Sequence, residues 1–204
     1  KETGIPTAVE NDVNSAAIGE AVFGAAKGYS DFMCLTYGTG IGGAIFLDGK
    51  LYTGNSFSAG EFGHIVTHAG GAECTCGGKG CYEAYASAKA LVNKVSETLD
   101  KDLNGKQIFD NFNDPVIKRL IDEWIDEIVY GLVTLIHIFN PSDILLGGGI
   151  LAQEYVSSEV KQKVDKKISP GFLGTKIRQT SLGNQAGMMG AVWLAEEALR
   201  IAKN

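Results

Sequence analysis

Between residues 64 and 81 the chain sets His64, His68, Cys74-Thr75-Cys76 and Cys81 among closely spaced glycines. Three thiols and an imidazole on one short segment suit a tetrahedral zinc site of the Cys3His type. Cys74 and Cys76 reach one ion from a tight turn. Gly77, Gly78 and Gly80 let the backbone fold back so that Cys81 arrives as a third thiolate. His64 and His68 compete for the fourth position. A disulfide is the alternative, but an odd cluster of three cysteines in a chain with no sign of export fits it poorly. Cys34 stands apart in an apolar run and reads as a packed core thiol.

Around that loop, strands and helices alternate. Thr7-Ala8-Val9 reads as a short strand, followed by a helix from Val13 to Lys27 that Asn11 or Asp12 caps. The small residues of this helix (Ala16, Ala17, Gly19, Ala21) point to close packing against another element. Phe32–Tyr37 and Gly43–Leu47 are apolar strand runs, and Asp48-Gly49 is a hairpin turn into Lys50-Leu51-Tyr52. The chain turns helical from Tyr82, with Leu91, Val95 and Leu99 at helical spacing. Asn113-Asp114-Pro115 opens a long helix over 116–139 whose apolar stripe runs from Ile117 to Ile136. Strands at 143–146 and 176–179 and helices at 154–167 and 186–202 complete the pattern, which is α/β with a mixed sheet.

Glycine punctuates this pattern at 27 of 204 positions, with only four prolines and no low-complexity tract, so the glycines are positional. Gly38-Thr39-Gly40-Ile41-Gly42-Gly43 joins two strands and either cradles an anion on its N–H groups or simply makes a tight hairpin. It matches neither the P-loop nor the dinucleotide pattern, because no lysine follows and the next element is a strand. Gly147-Gly148-Gly149 sits between a buried strand and a helix, where a nucleotide can approach the backbone or the chain can merely turn. Glu10-Asn11-Asp12-Val13-Asn14 places polar groups where open α/β sheets bind ligands, or caps a helix. Glu61-Phe62-Gly63-His64 and Cys81-Tyr82-Glu83 add two carboxylates beside the cysteine loop, as ligand contacts or as solvated acids.

Charge and hydropathy narrow the classes. A net charge of −6 argues against a footprint on nucleic acid. No apolar run reaches the roughly 18 residues that span a bilayer, and no signal segment opens the chain, so a cytoplasmic protein without membrane association is expected. The chain opens on Lys1 rather than methionine and reads as part of a longer protein.

Together these motifs resemble the ROK family (repressors, open reading frames and sugar kinases), with the actin-like ATPase, ribonuclease H-like fold. The resemblance runs from Glu10-Asn11-Asp12 through Gly38–Gly43, Glu61-Phe62-Gly63-His64, Cys74–Glu83 and Gly147–Gly149 to Ala186-Gly187-Met188-Met189-Gly190-Ala191. It implies a mixed sheet with flanking helices and an inserted zinc-binding loop. Asp12 becomes the general base toward a sugar hydroxyl, and Asn11, Glu61, His64 and Glu83 hold the other hydroxyls. Gly38, Thr39, Gly40, Gly42 and Gly43 take the ATP phosphates, and Gly147, Gly148 and Gly149 lie beside the adenosine. His64, Cys74, Cys76 and Cys81 hold a structural Zn2+, His64 also facing the sugar. ATP with Mg2+ is the phosphoryl donor, and a homodimer is expected.

The family's aspartate-x-glycine-glycine-threonine loop is missing, as is a winged helix. Residues 1–204 thus resemble the C-terminal lobe of a glucokinase-like sugar kinase, with 61–83 as its sugar- and zinc-binding segment. Alone, this lobe is expected to be inactive, with an apolar surface around Val192, Trp193, Leu194 and Ala195. The alternative is the sugar-sensing effector domain of a ROK repressor. Residues 51–59 are expected to decide which sugar binds.

Overall fold

The computed structural model describes residues 4–202 and contains a five-stranded sheet in the order β3-β2-β1-β4-β5. Its strands are β1 (Phe32–Tyr37), β2 (Ile41–Leu47), β3 (Lys50–Leu51), β4 (Asp143–Gly147) and β5 (Lys176–Gln179). β1, β2 and β3 form an antiparallel meander, while β4 pairs parallel to β1 and β5 parallel to β4. The sheet is therefore mixed, and β1, β4 and β5 all end at the same edge.

The pleat sorts side chains into two cores. Met33, Leu35 and Tyr37 of β1, with Ile144 and Leu146 of β4, face one way; Phe32, Cys34 and Leu145 face the other. The first face is covered by α3 (Ala88–Leu99), α5 (Pro115–Phe139) and α6 (Glu154–Lys167). The apolar stripe of α5 is buried from Ile117 to Ile136, and Asp114 caps the helix by accepting from the N–H groups of Val116 and Ile117. The second face carries α1 (Asp12–Phe23) and α7 (Ala186–Ala202). These two helices cross backbone against backbone, since a Cβ on Gly190 would collide with the Ser15 carbonyl oxygen.

Several sequence expectations need correction. Thr7–Val9 belongs to no strand among the described residues, since the sheet is complete without it. Helix α1 stops at Phe23 rather than Lys27, since the Glu20 carboxylate captures the Ala25 N–H at 2.7 Å and folds the chain away. Helix α4 (Gly105–Asp110) was not anticipated; Asn104 and Gln107 form a reciprocal capping box at its start. On α7, Trp193 and Leu194 pack against the second core instead of facing out. The exposed stripe consists of Met188, Val192, Ala195 and Leu199.

Candidate active site

The carboxyl ends of β1, β4 and β5 open into a cleft of about 1020 Å³. In open α/β sheets such an edge is where ligands bind. Asn11 and Asp12 line it from the start of α1, and Gly38–Gly40 from the β1–β2 turn. Ile41–Gly43 line it from the start of β2, which begins two residues earlier than the sequence suggested. Glu61 and His64 come from the segment after β3, and Glu83 from the start of a following short helix. Gly147–Gly149 line it from the end of β4. The non-cysteine residues to which the resemblance gives sugar or nucleotide contacts thus meet in one cavity, whereas His68 is not among its lining residues.

Each is held by local chemistry. Asn11 caps α1 by accepting from Val13 N at 2.8 Å and Asn14 N at 3.2 Å, so its amide nitrogen stays available to the cleft. Capping and lining are both true of this residue. Asp12 accepts from Val13 N through Oδ1 at 2.9 Å, which orients the carboxylate and leaves Oδ2 for a ligand. Gly60, at a φ of 93°, runs against the Gly43 carbonyl where no side chain fits, and this contact seats Glu61 and His64 beside the glycine turn.

Glu83 opens the short helix α2 (Glu83–Ala86), which is fastened from behind. The Trp124 indole N–H is 3.0 Å from both the Ala86 and Ser87 carbonyls. Buried Tyr82 donates its hydroxyl proton to the Ile128 carbonyl at 2.8 Å and accepts from the Tyr37 hydroxyl at 2.8 Å. That bond ties the residue before Glu83 to the residue before Gly38. Glu83 then reaches forward: Oε2 accepts from Ile41 N at 3.3 Å, and Oε1 lies 3.3 Å from Cys74 Sγ.

Behind the cleft, donor atoms of His64, Cys74, Cys76 and Cys81 all lie within 4.8 Å of one another. Cys76 Sγ and Cys81 Sγ are 3.7 Å apart, as are Cys74 Sγ and His64 Nδ1. Two thiolates on one tetrahedral zinc stand roughly 3.8 Å apart, so the set fits such an ion. Burial and the neighbouring Cys74 and Cys76 sulfurs push the Cys81 thiol up to about 12, whereas the Gly78 N–H draws the exposed Cys76 thiol down. All four cysteines are free thiols. His68 is elsewhere, stacked on Tyr85 at 3.9 Å, bonded to Thr67 Oγ1 and 3.6 Å from Glu127. The fourth donor is His64, whose Nε2 points toward Glu61 at 3.9 Å.

The cleft has members that sequence reasoning missed. Gln179, Thr180, Gly183 and Asn184 line its far end, brought there by the parallel pairing of β5 on β4. No motif spacing marks them. Phe57, Ser58 and Ala59 of the 51–59 segment expected to decide the sugar also line the cleft. Phe57 is 82% exposed with a φ of 59°, a left-handed backbone that an aromatic residue seldom adopts.

The sequence matches the family model described as ROK over residues 1–198. The chain belongs to the ROK family. It is 38% identical over 197 residues to a β-glucoside kinase from Listeria innocua, covering 94% of this chain and 65% of that protein. The chain thus spans about two thirds of the length of the curated relatives it matches. A ROK glucokinase from Streptomyces griseus, solved with glucose and AMPPNP, superposes with a TM-score of 0.86 at 33% identity, over 96% of this chain and 70% of that one. A ROK transcriptional regulator homologous to the E. coli MLC protein gives 0.83 at 27% identity, over 97% and 53%. The actin-like ATPase fold of ROK sugar kinases is therefore the fold of this chain. Among the described residues no helix is long and apolar enough to cross a membrane.

Proposed function

We propose that this ROK chain is the C-terminal lobe of a cytoplasmic, ATP-dependent sugar kinase that phosphorylates a hexose or related sugar hydroxyl. The observation that carries the reading is the convergence of Asp12, the glycine turn and Glu61, His64 and Glu83 on one cleft. Phosphoryl transfer requires positioned groups and charge neutralisation rather than a covalent intermediate, and a polyol requires several short polar partners around one pocket. Asp12 Oδ2 takes the proton of the attacking hydroxyl. Asn11, Glu61, His64 and Glu83 hold the remaining hydroxyls and fix which one faces Asp12. The N–H groups of the Gly38–Gly43 turn carry the phosphates, and Gly147–Gly149 border the adenosine. Mg2+ bound with ATP would supply neutralisation of charge on the transferred phosphoryl group.

His64, Cys74, Cys76 and Cys81 would hold a zinc ion that supplies bracing for the loop rather than Lewis-acid chemistry, and His64 Nε2, on the Glu61 side, would face the sugar. The apolar stripe of α7 supports contact with a further lobe, and we expect residues 1–204 alone to give no turnover. A homodimer also belongs to this reading.

The likeness to the transcriptional regulator favours a second reading, a sugar-sensing effector domain. The two part at Asp12, because a sensor needs sugar contacts but no base. In the full-length protein Asp12→Asn should lower turnover by about 10²- to 10⁴-fold while sugar affinity changes little. Near wild-type turnover in that variant would remove Asp12 from the chemistry, and a wild-type protein that binds sugar without phosphorylating it would favour the sensor.

A further inference from the structure

Glu20 is a fully buried carboxylate that the proposed chemistry does not use. Its partners are three backbone N–H groups and one hydroxyl. Oε1 accepts from Ser181 N at 2.9 Å and Leu182 N at 2.8 Å, and Oε2 accepts from Ala25 N at 2.7 Å and Ser181 Oγ at 3.0 Å. Taking a carboxylate out of water is costly, and charge-assisted bonds offset the cost only when both oxygens are satisfied. Three of these four bonds span some 160 residues of sequence and converge on the turn between β5 and α7, while the Ala25 bond is local. Thr180, Gly183 and Asn184 of that turn line the cleft. Thr180 also backs onto β4, its methyl 3.3 Å from where a Cβ on Gly147 would stand. The turn and the Gly147–Gly149 segment therefore form one end of the cavity.

We propose that Glu20 is a positioning residue for the nucleotide, holding the 180–184 turn against the Gly147–Gly149 segment so that the two make one wall. The inference rests on the sugar kinase reading, which assigns that end of the cleft to adenosine. Asp12 begins the helix that carries Glu20. About 12 Å along this one helix thus separates the base at its start from the latch on the nucleotide wall.

The charge is required because both oxygens must accept. Glutamine has a single acceptor, and its amide would face a donor on one side. The test is a graded series in the full-length protein: Ser181→Ala, Glu20→Gln and Glu20→Ala. Affinity for AMPPNP and for sugar is measured by calorimetry, and amide exchange is followed at residues 180–185. The expected result is AMPPNP weakened about threefold, tenfold and more than tenfold, with sugar affinity within twofold and faster exchange confined to the turn. Equal loss of sugar and nucleotide affinity would make Glu20 a general stability residue and overturn the proposal. So would unchanged AMPPNP affinity in Glu20→Gln, or in Ser181→Ala should the Glu20 variants fail to fold. A wild-type protein that binds no nucleotide overturns the kinase reading instead, and the exchange data still show whether the latch exists.

Discussion

At the scale of single residues, the second core places two ionisable groups close together. Cys34 lies on β1 with none of its surface exposed, and burial, reinforced by the Glu20 carboxylate, pushes its thiol up to about 12. A thiol held that high is not a nucleophile at neutral pH, although Cys34 borders the cleft. Stability should follow from it. Below pH 9 the thiol is protonated in both folded and unfolded chains and costs nothing. Between pH 9 and 12 the unfolded chain ionises while the folded one holds its proton, so stability falls by about 1.4 kcal/mol per pH unit. Above pH 10 the buried Tyr37 and Tyr82 hydroxyls, also raised by burial, add to the loss. Denaturant unfolding between pH 8.5 and 10 should show a slope at least this steep, since Cys81 is raised as well. Cys34→Ala should reduce it by about 1.4 kcal/mol per pH unit at some cost in overall stability. An unchanged slope in the variant would place the titration elsewhere.

At the scale of elements, the crossing of α1 and α7 decides where Asp12 stands. The backbones approach so closely at Gly190 and Ser15 that a single methyl group has nowhere to go. Gly190→Ala should therefore cost about 1–3 kcal/mol, because backbone cannot yield as a side-chain tip can. Ser15 is one turn from Asp12, so turnover should fall along with the melting temperature. A variant as stable and active as wild type would mean that the helices slide freely. The small residues of α1 announced this packing in the sequence, much as the apolar stripe announced α5. Local pattern was equally sufficient to place α6, α7, β1, β4 and β5, though not the buried side of α7, where Trp193 and Leu194 turn to the second core. It failed for Thr7–Val9, whose β-prone residues join no strand among the described residues. It also missed α4, a helix too short for a stripe, although Asn104 and Gln107 carried its cap. At the cleft, the glycine turns and the carboxylates were legible because they sit in motifs. Gln179 through Asn184 and the Glu20 latch were not, since their position depends on which strand lies beside β4.

At the scale of the whole molecule, the cysteine loop is the least autonomous part and the most directly connected to the cleft. Phe62 and Tyr82 anchor its two ends in the first core, but Cys74 and Cys76 contribute nothing to either core. Removing the metal should therefore leave the sheet and its flanking helices folded. What it should change is the side of the cleft built by His64 and Glu83, since His64 is one of the four donors and Glu83 touches Cys74. Purified without chelator, the protein should carry about one zinc per chain, and affinity for the metal should fall as pH drops, because thiols and imidazole must shed protons to bind. Stripped of metal, it should retain its far-ultraviolet circular dichroism and cooperative unfolding. Sugar affinity should fall by about 10- to 100-fold, the range seen when a partner that orients a ligand is lost. AMPPNP affinity should stay within about twofold, since the proposed nucleotide end is joined by the Glu20 bonds and by the pairing of β4 with β5 rather than by the cysteine loop. Calorimetric titration of the stripped and zinc-restored protein separates these outcomes. Sugar affinity that survives complete removal of the metal would show that the core alone positions His64 and Glu83.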